Sequence, residues 1–154
     1  MDIKHDSGLA ALAAGIAGAV ALTLVHQLGQ RVFPDAPRMD VVGMRAMSRI
    51  RTAAGATVPD RDTLFSQTLG GDLAANAAYY SLVDAGPRAG RWWRGAALGI
   101  GAGVGALTLP SRLGLGEPPH SRQLRNQVLT VAWYTIGGLV AAATLDHLDP
   151  TPVR

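Results

Sequence analysis

Two uncharged apolar runs constrain this chain more than any other feature. Gly8–Val25 and Val128–Leu145 each extend for 18 residues without a charged side chain. A helix needs about 20 mostly apolar residues to cross a hydrocarbon core about 30 Å thick. Both runs therefore predict membrane-spanning helices, over about 8–28 and 127–146. The first run exceeds the usual apolar region of a signal peptide and follows Asp2, Lys4, His5 and Asp6, not a clearly basic stretch, so it reads as a retained helix. Only 16% of the residues are charged, against about 25% in a soluble domain.

Two further segments complete a four-helix reading. One, over about 92–110, enters through Trp92 and Trp93 and runs into Pro110. The other, over about 63–83, is more polar, with Ser66, Gln67, Thr68, Asp72 and Asn76. Pro34 and Pro37 end the first helix. Met39–Arg51 then predicts an amphipathic helix lying in the membrane interface: Met39, Val42, Ala46, Met47 and Ile50 share one side, and Arg45 and Arg49 the other. Arg45 and Arg49 are expected to reach lipid phosphates, and Trp92 and Trp93 to anchor at the headgroup level. The expected fold is all-α: a polytopic membrane bundle of four spans and one interfacial helix.

Small residues recur at four-residue spacing: Ala11, Gly15 and Ala19; Gly70, Ala74 and Ala78; Gly95, Gly99 and Gly103; and Gly137 with Ala141 beside Gly138 with Ala142. Within lipid, such ladders let helix backbones approach closely. Gly18 joins Gly15 as a packing position on the first helix. A faint internal repeat accompanies them. Ala21–Leu24 recurs as Ala106–Leu109, and Ala78–Ser81 echoes Ala132–Thr135. The pattern suggests a duplicated two-helix hairpin with parallel topology.

One polar stripe stands out. Thr68, Asp72, Asn76 and Tyr80 are four apart on the second helix, and Arg122, Asn126, Thr130 and Tyr134 repeat the spacing near the fourth. A charge at the bilayer centre costs about 2.5–3.5 kcal/mol on insertion scales. Asp72 is therefore expected to hold a proton or a partner, chosen from Arg122, Arg125, Asn126 and His26.

Several chemistries lack support. With no cysteine, thiolate metal sites, iron–sulfur clusters and cysteine nucleophiles are excluded. Gly101–Ala106 fits the pattern G-x-G-x-x-A but lies within an apolar helix, where no strand can precede it, so a dinucleotide site is not expected. His5 with Asp2 and Asp6, and His147 with Asp146 and Asp149, read as solvated ends in preference to a metal site. No catalytic motif, cofactor or nucleic-acid surface is apparent. With four spans, nine arginines fall on the side of residues 30–62 and 111–125, against five basic residues on the other. The positive-inside rule then puts the termini outside the cytoplasm.

The segments Pro34–Asp40, Gly71–Leu73 with Asn76, Tyr79–Leu82 and Leu129–Tyr134 resemble an uncharacterised group of small bacterial four-helix integral membrane proteins. The resemblance implies a bacterial inner membrane location and no activity. Small multidrug transporters also have four short helices, but they need a Glu in the first, and here no acid follows Asp6 in that helix. The leading expectation is a structural or accessory membrane protein packing through its small-residue faces into a homo-oligomer or a larger complex. The alternative is a small proton- or ion-linked transporter or channel built around Asp72.

Overall fold

No proline interrupts the chain before Pro34, and the first helix, α1, runs over Ile3–Val32. A computed structural model describes residues 3–149, with side chains from Gly8 onward. After the Pro34–Pro37 turn comes α2, Met39–Ala53, which stops at Gly55 with φ of +72°. The third helix, α3, Arg61–Ser81, is started by Asp60, whose carboxylate accepts from the backbone N–H groups of Asp62 and Thr63 at 3.1 Å each. Two 3₁₀ turns, Leu82–Asp84 and Arg88–Gly90, lead into α4, Arg91–Arg112. Pro110 sits inside its last turn and does not end it. A loop with Gly114 and Gly116 at positive φ precedes α5, Leu124–Leu148. Among the described residues there is no strand.

Two helices, α1 over Gly8–Val32 and α5 over Leu124–Leu148, are long and apolar enough to cross a membrane. Four such helices were expected. The 21 residues of α3 and the 22 of α4 suffice in length, but polar side chains dilute the first and glycines the second.

α5 lies between α1 and α4, α3 packs on α1, and α2 lies on α3. The loop 33–60, with α2, and the loop 113–123 therefore share one end of the bundle. The pairs α1–α3 and α4–α5 follow the proposed hairpins. An exact two-fold would also match the broad α1–α5 contact with an equally broad α3–α4 contact, and that contact is slight.

Glycine sets the seams. A Cβ on Gly95 would lie 2.5 Å from the Gly138 carbonyl oxygen, and one on Gly103 2.7 Å from Val131 Cα; Gly99 abuts the backbone of Thr135. A Cβ on Gly18 would stand 2.6 Å from the Gly137 oxygen, and Gly15 abuts the Ala77 carbonyl. The expected ladders thus face partners on α1, α4 and α5. The ladder on α3 does not: Gly70, Ala74 and Ala78 are exposed, and nothing lies within 4 Å of a Cβ at Gly70. Thr68, Ala77 and Tyr80 form the buried side of α3 instead.

Large apolar side chains are found both inside the bundle and on its outer surface. The interior mixes Leu22, Tyr80, Val83, Trp133 and Leu145 with small and polar residues such as Ala14, Ala141, Asn126 and Thr130, while Leu9, Leu12, Ile16, Val20, Leu24 and Leu28 of α1 face outward. Along a helix that stripe is about 28 Å long. Ile100 and Val104 of α4 and Val128 and Ile136 of α5 are also outward.

Gly99→Leu should lower the thermal midpoint of the protein by an amount equivalent to about 3 kcal/mol, because the α4–α5 backbones cannot separate locally. Gly70→Ala should leave it unchanged or raise it slightly, since helix propensity favours Ala by about 1 kcal/mol.

Candidate functional site

α1 and α3 run antiparallel and touch where Gly15 meets Ala77. Toward the α2 end they part around a cavity of about 240 Å³, lined on α1 by Thr23, His26 and Gln30 and on α3 by Phe65, Thr68 and Asp72. α2 closes it from above with Met39, Asp40 and Gly43, and Tyr134 of α5 lies at its wall. α2 can sit this low because Gly43 has no side chain: a Cβ there would be 2.5 Å from Thr68 Cγ2. Met47 approaches Gly71 in the same way. The apolar side of α2 thus faces protein, with Val42 buried and Ile50, at its far end, 64% exposed. The helix expected to lie in the membrane interface caps the bundle and packs its apolar side on α3.

Asp72 lines the cavity from α3 and is itself exposed. It stands near the middle of α3 and, among the described residues, no cation lies within 4.0 Å of its carboxylate. Asn76, one turn on, donates to the Asp72 carbonyl at 2.9 Å, and Thr68 donates to that of Leu64 at 2.7 Å. His26 packs edge-on to Trp133, with centroids 4.9 Å apart, and to Tyr134 at 5.8 Å. Its Nε2 is shut off from solvent without a hydrogen-bond partner. At the α2 rim, Asp40 takes two bonds from Arg38, at 2.8 and 2.6 Å, and one from Gln30 at 3.3 Å. Burial pushes the Asp40 carboxyl up, but Arg38, Gln30 and the Val41 N–H outweigh it and leave the group below the usual carboxylate range.

The predicted stripe divides. Tyr80 is fully buried and donates to the Tyr134 carbonyl at 2.7 Å. Asn126 ties two loops together, donating to the carbonyls of Asp35 at 2.6 Å and His120 at 2.8 Å. Thr130 donates to the Asn126 carbonyl at 2.8 Å. Arg122 precedes α5, is exposed, and pairs with Glu117 at 2.6 Å. Arg125 donates to Asn126 Oδ1 and stands over the Phe33 ring. Of the four partners foreseen for Asp72, only His26 shares its cavity.

The anchors are placed as follows. Trp92 and Trp93 are 51% and 81% exposed. Arg45 donates to the carbonyls of Leu115 and Glu117, and Arg49 to those of Leu113 and Gly114. These two arginines, expected to reach lipid phosphates, thus join α2 to the loop after α4.

At the opposite end lies a cluster that the sequence reading missed. Arg91, 3% exposed, bonds Asp149 at 2.6 Å, Asp146 at 3.2 Å and Asp84 at 3.5 Å, and Arg88 pairs with Asp149. Asp146 and Asp149, considered above beside His147, thus serve an arginine. Asp2 lies outside the described residues, as do the side chains of His5 and Asp6.

No protein-family model, curated protein or solved structure matches this chain.

Arg91→Met should destabilise the protein by about 3 kcal/mol, read from thermal unfolding, because three carboxylates lose a shared buried cation. The Asp40 tether has a defined pH dependence. Its carboxyl titrates lower in the folded protein than in the unfolded chain, so its contribution is complete above the ordinary carboxyl range near 4 and is lost as pH falls through the lower folded value. Amide exchange in α2 should accelerate below about pH 4, and Asp40→Asn should show that faster exchange already at pH 7.

Proposed function

We propose that this chain is a four-pass integral membrane protein and that it works as a small proton- or ion-linked carrier through the cavity between α1 and α3. The observation that carries this reading is Asp72: a mid-helix carboxylate lining a mostly apolar cavity with no ion-pair partner among the described residues. Intramembrane carboxylates of this kind commonly mark ion or substrate pathways. The four-pass arrangement is supported by the outward aliphatic stripes and the glycine-lined interior. A bacterial inner membrane follows only from the resemblance noted in the sequence.

Orientation rests on charge. Nine arginines stand at the α2 end against Asp35, Asp40, Asp60, Asp62 and Glu117, whereas Arg88, Arg91 and Arg94 at the other end face Asp84, Asp146 and Asp149. The α2 end is cytoplasmic in this reading.

A second reading has its own support. Gly70, Gly71, Ala74, Ala75 and Ala78 leave an exposed small-residue surface on α3. A helix of another membrane subunit, or of a second copy, would pack there and make the chain an accessory subunit. Native-membrane purification with mass spectrometry separates the two: a stoichiometric foreign subunit favours the accessory role.

With no native cysteine, single replacements test the passes. In oriented vesicles, Ala56→Cys should react with an impermeant thiol reagent only from the cytoplasmic face, and Ala85→Cys only from the opposite face. Labelling of both from one face means that α3 does not span. In proteoliposomes carrying a pH gradient, the carrier reading expects proton flux that Asp72→Asn abolishes while the melting temperature is retained. Flux that is absent, or equal in the variant, rejects it.

A further inference from the structure

We infer that the α1–α3 cavity binds a small organic ammonium ion, with Asp72 as its counter-ion. This deepens the carrier reading and rests on it for the role of Asp72. Charge decides the sign of the ligand. Asp40, Asp84, Asp146, Asp149 and Glu117 all have arginine partners. Asp72, which lines this cavity, has none among the described residues, and it is exposed on the cavity's open side. Arg31 lines the same cavity and is also exposed, and no ion pair joins it to Asp72.

The walls favour an organic cation over a metal ion. Phe65, Leu69 and Met39 present hydrocarbon and sulfur, and the Tyr134 ring lies with them. Hard metal ions want about six or more oxygen ligands, and the described residues hold no group of three or more His, Cys, Asp or Glu side chains able to take a metal. An ammonium group needs fewer partners: one carboxylate, an oxygen acceptor such as Thr23 or Gln27, and an aromatic face, which Phe65 and Tyr134 can offer. His26 also lines this space, but its Nε2, buried without a hydrogen-bond partner, has no surface open to it.

Size narrows the class. A cavity of about 150 Å³ holds benzene, and this one is about 240 Å³. A monoamine carrying one small ring or a short alkyl chain fits it.

The test uses the full chain in nanodiscs at pH 7, with benzylammonium, its neutral isostere benzyl alcohol, and benzoate as probes in isothermal titration. Benzylammonium should bind saturably, and Asp72→Asn should weaken it by about tenfold or more. Benzyl alcohol should bind more weakly and equally to both proteins, and benzoate not at all. Leu69→Trp, which fills the cavity without touching the charge, should remove benzylammonium binding and serves if Asp72→Asn does not fold. Benzylammonium affinity unchanged in either folded variant, or equal affinity for benzyl alcohol, overturns the inference. Proton flux dependent on Asp72 without benzylammonium binding rejects this ligand class and leaves the carrier reading standing. Binding without flux does the reverse.

Discussion

Two consecutive glycines on α5 hold the bundle together. Gly137 meets Gly18 of α1 on one side, and Gly138 meets Gly95 of α4 on the other. Successive residues point about 100° apart on a helix, so a pair of glycines opens two faces at one level. Three backbones then pass within reach of one another, and dispersion between closely apposed main chains replaces the side-chain interdigitation of a soluble core. Tyr80 fills the space where α3 joins this crossing. Its ring lies against Gly18 and Gly137, and its hydroxyl bonds the α5 backbone.

That crossing also explains the cavity. Close approach of α1 to α5 and of α1 to α3 is fixed near Gly15 and Gly18, so the α2 end is where α1 and α3 can diverge. α2 covers the opening and is held by contacts of three kinds: Gly43 and Met47 on α3, Asp40 on Gln30 of α1, and Arg45 and Arg49 on the 113–117 loop. The roof of the cavity is thus mechanically joined to the end of α4, which otherwise has no part in the site.

Much of this was legible in the sequence. The apolar runs located the long helices, and the four-residue ladders on α1, α4 and α5 located the seams. The ladder on α3 misled because alanines occupy both sides of that helix: Ala77 packs and Ala78 does not, and spacing alone cannot choose between them. The polar stripe misled for a geometric reason. Residues four apart advance about 40° around a helix at each step, so Thr68 to Tyr80 sweeps about a third of the circumference. Thr68 therefore meets α2, Asp72 the cavity and Tyr80 the core. Arg122 failed as a stripe member because α5 begins at Leu124. The Arg91 cluster was invisible since its two nearer partners lie 55 and 58 positions along the chain, far beyond any local pattern.

Those separations bear on biogenesis. Arg91 enters the bundle with α4, when only Asp84 has been synthesised to meet it, and that contact is long at 3.5 Å. The two nearer carboxylates, Asp146 in the last turn of α5 and Asp149 just after it, arrive at the end of that helix. Until then the guanidinium has no reason to leave water. Withdrawal of Arg91 from solvent therefore marks completion of the fold, and a nascent chain stalled before Asp146 would display an uncovered arginine where the mature protein hides one.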